Sequence, residues 1–342
     1  MEKKLVDPNK LCFGCMSTIE NTNEVCPHCG FLKSEYKKPR FGLPLGEIIN
    51  GKYLVGKVIG IGGFGITYIA WDFYQSKKVC IKEYFPRGIA ARLGEVTKGQ
   101  QSLDYQYSLQ VCTQNTEQAK NAYVNGLKAY ITEAENLSKF YLLRGIVSVR
   151  DFFYANSTAY IVMEFIDGID MKKYTKAKGG KLAPQELFPL LKDVLVALNE
   201  VHKENIIHRD ISPDNIMLTR EMQAKLIDFG AAKDYAVSKN SPVLLKHGYA
   251  PIEQYYRDGK QGPYTDIYSM CATIYYLLTG KKVPKVQDRT QEDTLQPLRN
   301  LGVTVNEAQD NAIMKGLRIL PEERYQQVNE LYRDLYGEVI NE

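Results

Sequence analysis

Long apolar runs are missing from this chain. The longest, Ile267–Leu278, is interrupted by Ser269 and falls short of the ~20 residues that a membrane-spanning helix requires. It therefore predicts a buried core helix. Residues Met1–Lys10 are polar and lack the apolar stretch of a secretory leader. Charge of one sign is also scarce. The formal net charge is +4 over 342 residues, too small to imply nucleic acid as a partner. The one basic cluster, Lys33, Lys37, Lys38 and Arg40, reads as a solvated linker. No internal repeat is visible. These absences predict a soluble, cytoplasmic protein with neither membrane nor nucleic acid as a partner. Hydrophobic residues make up 44% and charged residues 25%, the globular range, and the length suits about two domains of ordinary size.

Cysteines are few and unevenly placed. Of seven, four form Cys12-x2-Cys15-x10-Cys26-x2-Cys29. Cys80 and Cys271 lie in apolar runs, where cysteine acts as a small hydrophobe, and Cys112 stands alone. An odd count with two C-x2-C pairs predicts metal binding in a reducing compartment, not a disulfide framework. Four thiolates at paired short spacing satisfy a tetrahedral Zn²⁺ and fill all its positions, so the expected role is structural. Gly14 and Gly30 suit the tight turns around the thiolates, and a unit this small needs its metal to fold. Few aromatic or basic residues interleave within it, which favours docking of a protein partner. The expected organisation is a four-cysteine zinc-binding knuckle over 1–30, a linker over 31–45 and a larger domain over 46–342.

From Tyr53 the pattern becomes strand-like: Tyr53-Leu-Val and Lys57-Val-Ile, a glycine cluster, Ile66–Ala70, then Lys78–Lys82. Residues 88–122 read as a polar insertion with little regular structure. A helix is expected next, with Tyr123, Leu127, Tyr130, Ile131, Ala134, Leu137 and Tyr141 on one face. Strands at Ile146–Phe153 and Thr158–Glu164 follow. A second helix opens near Pro184, with Leu187, Leu190, Leu191, Val194, Leu195, Leu198 and Val201 as its stripe. Further helices are expected at 265–279, about 306–319 and about 325–339. Strands first and helices after predict a two-lobed α+β architecture.

Four motifs carry chemistry. Gly60-Ile61-Gly62-Gly63-Phe64-Gly65 fits G-x-G-x-x-G, but a strand follows it where a dinucleotide site needs a helix. Strand–glycine loop–strand is the geometry of a flap over nucleotide phosphates. Lys82 ends the next strand, where an ammonium can reach the α- and β-phosphates. His208-Arg209-Asp210-Ile-Ser-Pro-Asp-Asn215 fits H-R-D-x-x-x-x-N. There Asp210 would orient or accept the proton of an attacking hydroxyl, Asn215 would hold Mg²⁺, and His208 would pack the loop. Asp228-Phe-Gly230 follows the strand Ala224–Ile227 and supplies a second Mg²⁺ ligand. Phosphoryl transfer asks a protein for positioning and charge neutralisation more than covalent chemistry, and this inventory suits it.

In this order, the motifs from about Tyr53 to Glu338 make the chain resemble the eukaryotic-type (Hanks-type) serine/threonine protein kinases of bacteria. The likeness extends to a subgroup with Lys-Glu-Tyr-Phe-Pro, here Lys82–Pro86, and Gly-Tyr-Ala-Pro-Ile-Glu-Gln-Tyr, here Gly248–Tyr255. It implies a bilobal kinase fold preceded by a zinc-ribbon-like module, with an N-lobe over 46–164, an insertion over about 88–122 and a C-lobe over 165–342. It implies ATP with Mg²⁺ or Mn²⁺, transfer to protein Ser or Thr hydroxyls, and autophosphorylation in signalling. The substrate is not named by the sequence. Glu133 is similar to the helix glutamate that pairs with Lys82. Helical geometry leaves Glu133 and Glu135 open, each about 100° from Ala134, and the resemblance favours Glu133. It further implies Met163 as gatekeeper, Glu164 to Ile166 as the adenine-binding hinge, and Thr67 and Cys80 in the nucleotide site. It pairs Glu253 with Arg324 and makes Asp266 a brace for the catalytic loop.

The sequence departs from that family in several places. Ser212 stands where a lysine near the transferred phosphate is usual, and no Lys or Arg lies between Asp210 and Asn215. A transition-state cation is therefore missing or comes from elsewhere. Ile252 replaces a proline, Thr67 a valine, and the Lys82–Glu133 gap is long. Ser238 and Ser241 are candidate autophosphorylation sites whose phosphate could meet Arg209. A catalytically dead binding module would be expected to lose Lys82, Asp210, Asn215 or Asp228, and none is lost. A small-molecule kinase would usually lack the set of Glu253, Asp266 and Arg324.

Overall fold

A computed structural model of the chain describes residues 7–92, 109–111 (backbone only), 117–229, 245–256 and 258–340. It divides into two compact units: residues through Tyr141 with Ser148–Phe165, and Leu142–Val147 with Ile166–Ala231 and Pro242–Glu342.

Unit one contains strands β1 Ile48–Ile49, β2 Tyr53–Ile61, β3 Gly65–Asp72, β4 Lys77–Tyr84, β5 Ala90–Arg92, β6 Leu109–Val111, β7 Val149–Ala155 and β8 Thr158–Glu164. Six of them form an antiparallel sheet of order β1-β2-β3-β4-β8-β7, and β5 and β6 form a separate hairpin. Helix α1 spans Glu117–Ser138. Strand alternation divides the residues between two faces. Val55, Ile66, Tyr68, Ile81, Tyr160 and Val162 form the core on one of them.

That core contains a buried polar network. Glu83, fully buried, pairs with Arg92 and accepts from Tyr160 Oη at 2.8 Å and Tyr68 Oη at 2.7 Å. Tyr68 Oη in turn accepts from Leu43 N, and Arg92 Nε donates to Phe41 O. A charge buried this deeply persists only when paired and hydrogen-bonded. The pairing fixes residues 41–43 and β5 to the sheet.

The cysteine-rich segment packs on the same unit. Leu11 and Phe13 form an apolar cluster with Leu54, flanked by Phe31, Trp71 and Phe73. The β2–β3 register shifts between Val55 and Val58, a bulge that takes amides out of the ladder. Lys57 N then donates to Phe13 O at 2.8 Å, and Val58 N to Tyr36 Oη at 3.0 Å. Gly56 is the closest approach: a Cβ there would lie 2.4 Å from Met16 Cε and 2.5 Å from Phe13 O.

Unit two carries helices α2 Met171–Ala177, α3 Pro184–Lys203, α4 Pro263–Thr279, α5 Val286–Arg289, α6 Glu307–Gly316 and α7 Val328–Tyr336, with strands β9 Gly168–Asp170, β10 Ile216–Thr219 and β11 Ala224–Leu226. Leu187, Leu191, Val194, Leu195, Leu198 and Val201 of α3 are buried, and α4 is buried along nearly its whole length. No described helix is long and apolar enough to cross a membrane.

Three expectations need correction. The 88–122 insertion contains the β5–β6 hairpin, and α1 begins within it at Glu117, because tertiary packing overrides a weak polar pattern. Strand β7 starts at Val149, and Ile146 instead forms an isolated parallel bridge with Leu226 in unit two. Residues 31–45 do not run free: Leu43 is buried and Tyr36 caps the β2 bulge.

Gly56→Ala should lower the unfolding free energy by about 1–3 kcal/mol, the usual cost of overpacking. Urea unfolding measures this, and a loss below ~0.5 kcal/mol would mean that the knuckle yields freely.

Candidate active site

In unit one the nucleotide candidates share a sheet face. Thr67 lies opposite Lys82 across β3–β4 and opposite Gly60 across β2–β3. Cys80, two residues from Lys82, faces Met163 across β4–β8. Directly opposed residues point the same way, so Gly60, Thr67, Cys80, Lys82 and Met163 line one surface. The glycine loop closes on itself, Gly62 N donating to Gly65 O at 2.8 Å. The segment after Lys82 holds it: Phe85 N donates to Phe64 O and Arg87 N to Gly63 O, at 2.8 and 2.9 Å. A Cβ at Gly65 would lie 2.7 Å from Glu83 O, whereas Gly63 has nothing within 4 Å. Gly65 is thus required by packing, and Gly63 leaves room for a phosphate to approach the backbone. Ile61 ends β2, paired with Ile66, and Phe64 lies in the loop.

Helix α1 meets this surface through Tyr130, whose hydroxyl donates to Lys82 O at 3.0 Å and whose ring lies 6.0 Å from Lys82 Nζ. Glu133, one turn further, is buried, while Glu135 is exposed, so burial separates the two glutamates that periodicity left open. At the hinge, Glu164 N donates to Ser148 O at 3.0 Å. That use removes this amide from the groups offered to an adenine. Ile166 is half-buried and belongs to unit two.

In unit two the catalytic loop is tied to Asp266, which is fully buried. Its carboxylate accepts from His208 N (2.7 Å), Arg209 N (2.8 Å) and His202 Nε2 (2.8 Å). Arg209 adopts φ +65°, a conformation unfavourable for a side chain with Cβ and sustained by these bonds. Burial pushes the Asp266 carboxyl up, but the His202 hydrogen bond and charge, with the His208 amide, outweigh it and hold it below the usual value. His208 links the loop to the next motif: its Nδ1 accepts from Asp210 N at 3.2 Å, and Nε2 lies 2.9 Å from Ile227 O. The two bonds together specify the tautomer protonated on Nε2.

Asn215 and Asp228 come together through the backbone. Ile227 N donates to Asn215 O at 2.9 Å, and Ile216 pairs with Leu226 across β10–β11. Asp228 has φ +61°, a second strained residue at this site. Asn215 Nδ2 donates to Asp210 O at 2.7 Å and to Asp210 Oδ2 at 3.1 Å. With its amide protons so used, Oδ1 is the Asn215 atom left to suit a hard cation, and an amide oxygen and a carboxylate, as Asn215 and Asp228 carry, are the donor chemistry that Mg²⁺ takes. Glu253 and Arg324 form a buried bidentate pair at 2.8 and 3.2 Å, as the resemblance implies. Gly230, Ser238, Ser241 and Cys112 lie outside the described residues.

The four cysteines form a second candidate centre. Their sulfurs lie within 4.8 Å of one another, with Cys12–Cys29 at 3.7 Å and Cys15–Cys26 at 3.8 Å. A tetrahedron with ~2.3 Å metal–sulfur bonds has edges of about 3.8 Å. Gly14 N points at Cys12 Sγ (3.3 Å), and Gly30 adopts φ +69°. The cluster could hold a metal ion.

One site residue escaped sequence reading. Lys246 Nζ lies 2.9 Å from Ser212 Oγ and 3.5 Å from Asp210 Oδ1. Its separation along the chain gave no local signal.

A family model described as the protein kinase domain matches residues 91–327. The chain belongs to the protein kinase family. That match begins after the glycine loop and Lys82. Serine/threonine-protein kinase F of Synechocystis is 31% identical over 85% of this chain and 56% of its own length. PrkC of Bacillus subtilis is 26% identical over 85% and 41%, and PknB of Mycobacterium tuberculosis 27% over 84% and 43%. The chain thus spans about half the length of the curated relatives it matches. A solved structure titled PpkA-294 apo form is 32% identical with TM-score 0.73, covering 86% of this chain and 99% of that one. The PknI kinase domain of Mycobacterium tuberculosis, at 19% identity and TM-score 0.61 over 86% and 98%, shares the fold. The kinase domain here is of the ATP-dependent serine/threonine type.

Asp266→Asn should weaken the fold. A carboxylate held below its ordinary value stabilises fully above the unfolded pKa of ~3.9, and this is lost as pH falls through the folded value. The unfolding free-energy gap between wild type and variant should be about 3 kcal/mol at neutral pH and narrow below pH ~4. Urea unfolding across pH measures it.

Proposed function

We propose that the whole protein transfers the γ-phosphate of ATP to Ser or Thr hydroxyls of protein substrates, autophosphorylation included. The observation that carries this reading is the Asp210–Asn215–Asp228 arrangement, which joins a candidate base to an all-oxygen cation site. Asp210 orients the acceptor hydroxyl, and Asn215 and Asp228 hold Mg²⁺. Lys82, set by Glu133, and the backbone of residues 60–65 hold the phosphates. Thr67, Cys80, Met163 and Glu164 contribute to adenine binding from unit one, and Ile166 from unit two. Bound Mg²⁺ supplies charge neutralisation at the phosphates. Substrates are proteins presented to the Glu253–Arg324 region of unit two.

The cysteine cluster is proposed to hold structural Zn²⁺, supported by sulfur spacings of tetrahedral size. A cytoplasmic setting follows from the same thiols, which bind metal only when reduced. A protein partner for the knuckle's outer surface is part of this reading, as is the domain division at 30, 45 and 164.

Mass spectrometry after incubation with Mg-ATP tests the activity. Phosphoserine or phosphothreonine should appear with wild type and be absent with Asp210→Asn; absence from both would overturn the reading. Zinc is tested through Trp71, the sole tryptophan, which packs against the knuckle's cluster. Chelation should release one metal ion per chain and shift Trp71 emission to the red. Unchanged emission after complete metal loss would remove the structural role.

A further inference from the structure

The catalytic loop lacks a cation between Asp210 and Asn215, yet phosphoryl transfer spreads negative charge over the equatorial oxygens of the moving group. Fixed positive charge beside that group is among the largest sources of rate. In unit two, Lys246 places its ammonium next to the loop from a segment more than thirty residues downstream. Nζ donates to Ser212 Oγ at 2.9 Å and lies 3.5 Å from Asp210 Oδ1. Ser212 is fully buried, so its hydroxyl is a fixed anchor, and Lys246 is about one-third exposed. An ammonium has three N–H donors. Ser212 takes one in a hydrogen bond, and Asp210 lies at ion-pair distance.

We propose that Lys246 is a catalytic residue that supplies the loop's missing cation, contacting the phosphoryl group as it moves to the acceptor hydroxyl. A base must lie within about 3 Å of the hydroxyl it serves, and Lys246 lies at ion-pair distance from the Asp210 carboxylate. Its ammonium therefore lies beside the oxygen that attacks phosphorus. In the step itself, the acceptor oxygen forms a bond to the γ-phosphorus. The bond to the bridging oxygen breaks with its electron pair leaving on ADP, and the hydroxyl proton passes to Asp210. Lys246 stays protonated throughout. Ser212 and Lys246 act as one unit, the small residue making room in the loop for an ammonium from outside it.

This proposal rests on the kinase reading, and the test separates the two. The full-length protein, Lys246→Ala, Lys246→Arg, the double variant Lys246→Ala/Ser212→Lys and Asp210→Asn are compared with dephosphorylated casein as acceptor and autophosphorylation read in parallel. Equal melting temperatures confirm folding, and Mg-ADP affinity is measured separately. Lys246→Ala should lower kcat about 100-fold, with KM for ATP and Mg-ADP affinity within about threefold. Returning a lysine at position 212 should recover at least tenfold of the loss. Lys246→Arg should retain more activity than Lys246→Ala. If Lys246→Ala keeps or raises kcat, the ammonium is only a resting partner of Asp210 and the proposal fails. It fails equally if neither the 212 lysine nor arginine recovers activity, since Lys246 then only organises its segment. A wild type no more active than Asp210→Asn overturns the kinase reading itself, and this proposal with it.

Discussion

The catalytic loop depends on one buried carboxylate. Asp266 has no exposure, and its charge is tolerated because two backbone amides and an imidazole surround it. Those amides belong to His208 and Arg209, the residues just before Asp210. The cost of burying the charge and the unfavourable φ of Arg209 are offset together: the strained backbone aims the amides, and the amides solvate the carboxylate. From there the order passes outward. His208 accepts from Asp210 N and reaches Ile227 O, and Ile227 N reaches Asn215 O. A continuous set of hydrogen bonds joins the brace to Asp210 and Asn215, and to Ile227, the residue just before Asp228.

Unit one follows the same logic around a different charge. Glu83, next in sequence to Lys82, points to the opposite face by strand alternation. There it gathers Arg92, Tyr68 and Tyr160. Burying Glu83 fixes the register of β4, and with it the face that Lys82 shares with Thr67 and Cys80. The residues after it, Phe85 and Arg87, hold the carbonyls of the glycine loop. The run Lys82–Pro86 thus divides its tasks: Lys82 is proposed for phosphate, Glu83 enters the core, Tyr84 packs against Tyr123 and Tyr130 of α1, and Phe85 holds the glycine loop. The cysteine-rich segment contributes from the other end of β2, where the bulge at Lys57 and Val58 presents its amides to Phe13 and Tyr36.

Much of this was legible in the residues. Strand alternation located β2, β3, β4 and β8, and the leucine stripe located α3, because periodic burial leaves a local pattern. The paired cysteines declared their own spacing. Other features left no such trace. Neither periodicity nor propensity separates Glu133 from Glu135; burial does. The hairpin within residues 88–122 is held by Arg92 reaching a buried glutamate, a contact that a polar sequence does not announce. Ile146 looked like part of β7, yet its bridge is to Leu226, since short apolar runs do not specify their partners.

By itself the sequence supplied the chemical inventory: a glycine loop, a strand lysine, a proposed base, two proposed cation ligands and four thiols, each in a motif a few residues long. It did so because backbone approach, metal ligation and strand alternation are local constraints. Only the tertiary structure decided which distant groups complete them. Lys246 beside Asp210 and Arg92 against Glu83 are pairs that no motif contains, whereas Asp266 beneath the loop and Arg324 against Glu253 were already implied by the resemblance and are placed by the fold. A charge finds its partner through the fold's packing, and sequence spacing carries no record of that distance.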